Sequence, residues 1–86
     1  MLSIVYTDEM KKSVRKMPVE IQGRLAELIH FLAEDAFHPY LHTKPLREKW
    51  RGYYSFRITR NYRCIFGIDK NIIILHTIDH RKDAYR

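Results

Sequence analysis

The chain has 86 residues, a formal net charge of +6, and 45% apolar and 13% aromatic residues. This size fits one domain over residues 1–86, because two separate cores need a longer chain. A single cysteine, Cys64, excludes an internal disulfide. Apolar runs are far shorter than the roughly 20 residues of a membrane helix, and the first residues lack a signal-peptide pattern, so we expect a soluble, cytoplasmic protein that binds no membrane.

The positive charge lies in the second half of the chain. Residues 1–43 contain five Lys/Arg against six Asp/Glu, whereas residues 44–86 contain eleven against four. Such an asymmetry is typical of a face that binds a polyanion, and nucleic acid is the obvious class. Many small basic proteins bind nothing anionic, and charge alone does not separate RNA from DNA.

The first half predicts a strand followed by two helices. Residues 2–6 form a short β-prone run. Thr7, followed by Asp8 and Glu9, predicts a helix start, because threonine caps the first turn and acids favour the positive end of the helix dipole. Pro18 ends this helix and suits the first turn of the next, so we expect a helical hairpin. The apolar residues of the second helix recur at helical spacing, at Ile21, Leu25, Leu28, Ile29 and Leu32.

The second half predicts a loop and then three strands. Loop residues at 36–45 are followed, after Gly52, by the alternation typical of strands. The predicted strands are residues 53–59, 62–68 and 72–78, with turns at 60–61 and 69–71. The order is therefore β-α-α-β-β-β. We expect an α+β fold in which the helical hairpin packs on one face of a twisted antiparallel sheet and leaves the other face free for a site.

Four segments contain polar side chains of the kinds that bind or catalyse. They are Lys44-Pro45-Leu46-Arg47, Ser55-Phe56-Arg57-Ile58, Tyr62-Arg63, and the ending Asp79-His80-Arg81-Lys82-Asp83-Ala84-Tyr85-Arg86. In this order and spacing they resemble the RelE branch of the RelE/ParE toxins, over essentially the whole chain. The resemblance implies a RelE-like fold and a toxin of a type II toxin–antitoxin system. It also implies an mRNA interferase, a ribosome-dependent endoribonuclease that cuts messenger RNA in the A site and needs no cofactor.

Cleavage of RNA without a metal requires several kinds of side chain. Without a metal, the RNA 2′-hydroxyl attacks the adjacent phosphate, which needs a proton acceptor, a proton donor for the leaving 5′-oxygen, and cations for the developing charge. Lys44 or His80 is a candidate for proton transfer, and His80 is slightly preferred because imidazole titrates near neutrality. The other members of the predicted catalytic set are phosphate clamps and a nucleotide-orienting tyrosine, namely Arg57, Arg63, Arg81 and Tyr85. The resemblance implies the same roles.

Whether Arg57 and Arg63 act together depends on the turn between their strands. A two-residue turn would place Arg57 opposite Cys64 and the two arginines on opposite faces, whereas a longer loop or a bulge would place them on one face. Six further basic residues are predicted to bind nucleic acid: Arg47, Lys49, Arg51, Arg60, Lys82 and Arg86.

Other polar and aromatic residues have plainer explanations. His76 is expected in the core. Trp50 and the pair Tyr53-Tyr54 are candidates for base stacking, with at least one tyrosine expected in the core. His38 and His42 lack the further ligands that a zinc site requires, so no metal is predicted.

Two other functions are compatible with the same fold. One is a ParE-like inhibitor of DNA gyrase that cleaves no RNA; such relatives generally lack the basic set, so its presence favours the nuclease. The other is an inactive relative kept as an antitoxin-binding module or DNA-binding co-repressor. The implied partners are a cognate antitoxin, mRNA and the 70S ribosome with its RNA, while the oligomeric state stays open. We expect an acidic or apolar antitoxin segment to mask or displace the catalytic residues.

Overall fold

The computed structural model describes residues 1–80. These residues form a five-stranded sheet with two helices. The elements in chain order are β1 (Ser3–Tyr6), α1 (Asp8–Arg15), α2 (Val19–Glu34), β2 (Lys44–Pro45), β3 (Tyr54–Arg57), β4 (Tyr62–Asp69) and β5 (Ile72–His80). One-turn 3₁₀ helices at Pro39–Leu41 and Glu48–Trp50 lie in the loops before β2 and β3. Across the sheet the strand order is β1-β5-β4-β3-β2.

The expected α+β class and the β-α-α-β-β-β order are confirmed, but the sheet is mixed. β1 pairs in parallel with β5, with Ser3 opposite Ile72. All other neighbouring strands are antiparallel. A parallel pair needs a long crossover connection, which the chain from α1 to β4 supplies. The strand β2 was predicted as loop, and it forms because Lys44 and Pro45 pair with the edge of β3.

The first helix begins at its predicted cap and runs along β5. The Thr7 Oγ1 atom accepts a hydrogen bond from the Met10 amide at 3.0 Å, as an N-cap does. The same hydroxyl donates to the His76 carbonyl at 2.8 Å. Further along α1, the Ser13 and Thr77 hydroxyls lie 3.3 Å apart. α1 therefore covers the part of the β5 edge that lies beyond β1.

The main core lies between the helices and one face of the sheet. Its helical members include Met10, Leu25, Leu28 and Leu32, and its strand members are Phe56, Cys64, Phe66, Ile73, Leu75 and Ile78. Successive strand residues point to opposite faces. The residues between these core positions therefore define a second surface, the outer face, which contains Ser55, Arg57, Arg63, Ile65, Thr77 and Asp79.

A β-bulge interrupts the alternation of β5. Ile65 and Phe66 are consecutive on β4, but their partners Thr77 and Leu75 are separated by His76. The extra residue returns Ile78 to the core and leaves His76 beside Thr77 on the outer face. The expectation that His76 lies in the core is wrong, because its side chain is half-buried and its ring centroid lies 4.8 Å from that of Tyr53.

Candidate active site

Two arginines face each other across β3 and β4. Arg57 is the direct cross-strand partner of Arg63, which places both side chains on the outer face. Residues 58–61 connect the strands, closed by a 2.9 Å hydrogen bond from the Ile58 amide to the Tyr62 carbonyl. The connection is longer than the two-residue turn predicted at 60–61. This length is what brings the two arginines to one face.

Asp79 extends this pair to a row of three charges. It is the β5 partner of Arg63, and its Oδ2 atom lies 3.5 Å from the Arg63 Nη2 atom. Like charges directly opposite each other destabilise a sheet, and the carboxylate offsets part of that repulsion. The Arg63 Nε atom is buried and has no hydrogen-bond partner among the described residues. Because buried donors normally have a partner, this atom is an unsatisfied donor within the row of charges.

Lys44 is the third cation of the outer face. It pairs with Ser55, which precedes Arg57 by two residues on β3 and so faces the same side. The Lys44 side chain is exposed. A 2.9 Å hydrogen bond from the Leu46 amide to the Tyr53 carbonyl continues the pairing beyond β2 and fixes the short strand. Lys44, Arg57 and Arg63 therefore form one group, hereafter the cation group.

His80 does not share this face. It pairs with Tyr62, and the two rings meet edge to face with centroids 4.8 Å apart. Tyr62 packs against the core, so His80 lies on the helix side of the sheet. In a regular β5, alternation from Leu75 would put His80 on the outer face and Asp79 on the other. The bulge at His76 reverses these positions, so that Asp79 lies on the outer face and His80 on the helix side.

The remaining predicted residues divide into a basic rim and a part outside the described structure. The rim consists of exposed side chains in the loops at either end of β3: Arg47, Lys49, Arg51 and Arg60. The other four predicted residues lie outside residues 1–80, which the structure describes: Arg81, Lys82, Tyr85 and Arg86. Within residues 1–80, no group of three or more His, Cys, Asp or Glu could hold a metal ion. No helix of this part is long and apolar enough to cross a membrane.

Three rings form an aromatic cluster at the other end of the outer face. They are Trp50, Tyr53 and His76, with centroid separations of 5.3 Å from Trp50 to Tyr53 and 4.8 Å from Tyr53 to His76. Tyr53 lies against Gly67, where an added Cβ would be 3.2 Å from its ring. Tyr54 points the other way and stacks on Phe66 at 5.8 Å, which confirms that one tyrosine of the pair belongs with the core.

Sequence reasoning missed His76 as a member of this surface. The available signal was the alternation itself, because Ile73 and Leu75 face the core and the next residue therefore faces outward. The apolar residues on both sides of His76 obscured that pattern. Asp79 was missed for the opposite reason, since its place on the outer face depends on the bulge.

Comparison with known proteins gives one family and a shared fold. The model of the ParE toxin of type II toxin–antitoxin systems, parDE, matches residues 4–85. No curated protein matches the chain. YafQ from E. coli is 14% identical, with a TM-score of 0.81 and coverage of 100% of both chains. The RelBE2 complex from Mycobacterium tuberculosis shares 24% identity, with a TM-score of 0.79 and coverage of 93% of this chain and 98% of that one. The YoeB–YefM complex from Staphylococcus aureus shares 19%, with a TM-score of 0.77 and coverage of 93% and 97%.

Proposed function

This chain belongs to the ParE toxin family of type II toxin–antitoxin systems, and from that premise we propose that it is an mRNA interferase of the RelE kind. In this proposal the toxin enters the ribosomal A site and cuts the mRNA codon held there. The observation that carries the proposal is the cation group, with Arg57 directly opposite Arg63 and Lys44 beside them. ParE-like gyrase inhibitors generally lack the basic set, so its presence on one face favours the nuclease.

The proposed reaction is an internal transfer of the phosphate. The 2′-oxygen forms a bond to the adjacent phosphorus, and the bond from phosphorus to the 5′-oxygen breaks, which leaves a 2′,3′-cyclic phosphate and a 5′-hydroxyl. Arg57 and Arg63 hold the negative charge that builds on the non-bridging oxygens. Lys44, an ammonium on the same face, protonates the departing 5′-oxygen. The roles of Arg81 as a further phosphate clamp and of Tyr85 in orienting the nucleotide remain part of the proposal through the resemblance alone.

The acceptor of the 2′-hydroxyl proton is the least supported part of the mechanism. His80 was the preferred proton-transfer residue, and its side chain lies on the helix side of the sheet with Tyr62. Asp79 is the carboxylate nearest to Arg63 on the outer face. We therefore assign the cations first and leave the acceptor to a comparison of His80→Ala with Asp79→Asn. A residue whose replacement leaves cleavage intact is not the essential proton acceptor.

A cognate antitoxin is the partner that family membership implies. The similar structures from M. tuberculosis and S. aureus are toxin–antitoxin complexes. We propose that an acidic segment of the antitoxin covers the cation group, because three positive charges on one face attract such a segment. The mRNA and the 70S ribosome are the further partners in this proposal, and the exposed rim of Arg47, Lys49, Arg51 and Arg60 would contact the RNA backbone.

A second candidate function has one observation in its favour. The matching family model bears the ParE name, and ParE-like relatives include non-nuclease inhibitors of DNA gyrase. If the chain were such an inhibitor, mRNA would stay intact with or without the outer-face arginines. The two functions therefore differ in what the arginine variants do to mRNA.

The test is cleavage in a translating bacterial extract, with the 5′ ends of a reporter mRNA mapped. The wild type is compared with Arg57→Ala and Arg63→Ala, and with Arg24→Ala as a matched control. Arg24 is an exposed arginine on α2 that pairs with Glu27 at 3.0 Å. Loss of one charge-stabilising donor typically lowers the rate about 10²–10³-fold, so the outer-face variants should be nearly silent and the control active. The wild type is also expressed in growing bacteria, where intact mRNA with growth arrest indicates a gyrase inhibitor and intact mRNA with normal growth indicates an inactive binding module.

A further inference from the structure

We propose that the aromatic cluster of Trp50, Tyr53 and His76 is a second RNA subsite, which stacks an unpaired base of single-stranded RNA away from the cleaved phosphate. The inference rests on the proposed function for the identity of the polymer. It concerns a different part of the outer face from the cation group, and it adds a binding role to residues outside the catalytic set.

The loop before β3 holds Trp50 in a fixed position. The Trp50 amide donates to the Arg47 carbonyl at 3.2 Å, and the Tyr53 amide donates to the Trp50 carbonyl at 2.9 Å. Two residues of this loop, Glu48 with a φ of 57° and Gly52 with a φ of 93°, lie in the left-handed region. A non-glycine residue in that region is uncommon and persists only where its surroundings hold it. The loop is therefore a shaped element that presents Trp50 over the sheet.

The three rings are arranged as a platform and remain partly exposed. Tyr53 stands perpendicular to both neighbours, at 89° to Trp50 and 86° to His76. All three side chains are half-buried, and none belongs to the main core. A packing explanation accounts for their mutual contacts. It does not account for placing three rings, each with a polar N–H or O–H group, on the sheet face that also carries the cations.

Charge and spacing favour single-stranded RNA as the ligand. Arg47, Lys49 and Arg51 are exposed in the loop that carries Trp50. Aromatic rings beside a positively charged groove are the usual means of binding unpaired nucleic acid, because every base has a face that can stack. Gly67, under Tyr53, is four residues along β4 from Arg63, or about 13 Å at the rise of a strand. A base at the cluster therefore belongs to a nucleotide near the cleaved one and not to the cleaved one itself.

Trp50 is the only tryptophan of the chain, so its fluorescence reports directly on this subsite. The experiment is a titration of the full-length toxin with a short single-stranded RNA that carries 2′-O-methyl groups and cannot be cleaved. We expect saturable quenching. The matching duplex should quench little, because its bases are already paired and stacked. Equal quenching by the duplex, or none by the single strand, overturns the proposal.

Variants separate stacking from general attraction to the loop. With a labelled strand and fluorescence anisotropy as the readout, Trp50→Leu and His76→Ala should bind about tenfold more weakly, whereas Trp50→Phe keeps a ring and most of the affinity. Tyr40→Ala is the matched control, because Tyr40 is an aromatic residue 62% exposed outside the outer face. Thermal melting verifies that each variant is folded. Unchanged affinity in both Trp50→Leu and His76→Ala overturns the proposal.

The catalytic variant distinguishes this inference from the proposed function. Arg63→Ala should lose cleavage in the translating extract and still show quenching of Trp50. Cleavage by the wild type without quenching refutes the subsite and leaves the nuclease. Quenching without cleavage in any extract supports the subsite and refutes the nuclease.

Discussion

Arg57 and Arg63 are direct cross-strand partners on the outer face of the β3–β4 hairpin, so two positively charged side chains start from opposite positions of neighbouring strands. In a protein without an anionic ligand this arrangement only costs stability. Asp79 offsets the repulsion on the Arg63 side, with a separation of 3.5 Å, while Arg57 is exposed at the other end of the row. Repulsion between the two arginines lowers stability, while the same two charges are able to bind an anion.

Replacing Arg57 by alanine should therefore separate stability from activity. We expect the free energy of unfolding to stay the same or to rise by up to about 1 kcal/mol, because a like-charge contact is removed. Cleavage should fall about 10²–10³-fold. Urea unfolding measures the first quantity and mapping of mRNA ends the second. A clear loss of stability in Arg57→Ala would show that the side chain has a structural role instead.

Asp79 is expected to act through Arg63. In Asp79→Asn the carboxylate charge is lost with little change in shape, and the hold on the Arg63 guanidinium weakens. We expect cleavage to fall roughly tenfold, the equivalent of a modest charge-assisted hydrogen bond of about 1.5 kcal/mol. A double-mutant cycle gives the decisive measurement.

The cycle has a built-in control. In an Arg63→Ala background, Asp79→Asn should have no further effect, whereas in an Arg57→Ala background it should have its full effect. Equal effects in the two backgrounds would mean that Asp79 acts independently of Arg63, for example as the proton acceptor.

Local signals in the sequence were sufficient to predict where the two helices begin. The cap at Thr7 and the break at Pro18 depend only on neighbouring residues, and both helices begin after them. The parallel pairing of β1 with β5 was not foreseen, because it joins residues about seventy positions apart and no local pattern encodes the direction of such a pair.

Only part of the candidate site's geometry could be predicted from the sequence. Lys44, Arg57 and Arg63 were predicted as members of one catalytic set, with the shared face of the two arginines left open, and the structure brings all three to one face. The placement of His80 depended on a single extra residue, the bulge at His76. One residue more or less in a strand reverses the face of everything that follows it, and sequence alternation alone cannot locate such an insertion.

Gly67 is expected to be intolerant of a side chain. An added Cβ would lie 3.2 Å and 3.3 Å from two carbons of the Tyr53 ring. Overpacking of this kind should lower the free energy of unfolding by about 1 kcal/mol and shift Tyr53 within the aromatic cluster. Gly23→Ala is the matched control. Nothing lies within 4 Å of its added Cβ, and alanine in a helix should raise stability by up to about 1 kcal/mol. Effects of the same sign would contradict the account of Gly67.

Cys64 should make stability fall at alkaline pH. Its thiol is fully buried, and burial, with a further contribution from the charge of Asp79, raises the pKa of Cys64 well above its ordinary value of 9.0. Above pH 9 the unfolded chain releases the thiol proton while the folded chain retains it. The folded state then binds more protons than the unfolded state, so its stability decreases as pH rises, by up to about 1.4 kcal/mol per pH unit. Below the unfolded pKa this contribution is fully present.

The measurement is urea unfolding of the wild type and Cys64→Ala at a series of pH values from neutral to mildly alkaline. The alanine variant loses some stability at every pH because a buried group is removed, and that offset does not depend on pH. The difference between the two slopes is therefore the readout, since lysine titration is common to both proteins. Burial and, to a smaller extent, the neighbouring Cys64 raise the pKa of Tyr6, so this tyrosine differs between the two proteins and the slopes are compared below pH 10. Identical slopes would show that the thiol ionises in the folded protein, which requires water to reach the core around Cys64.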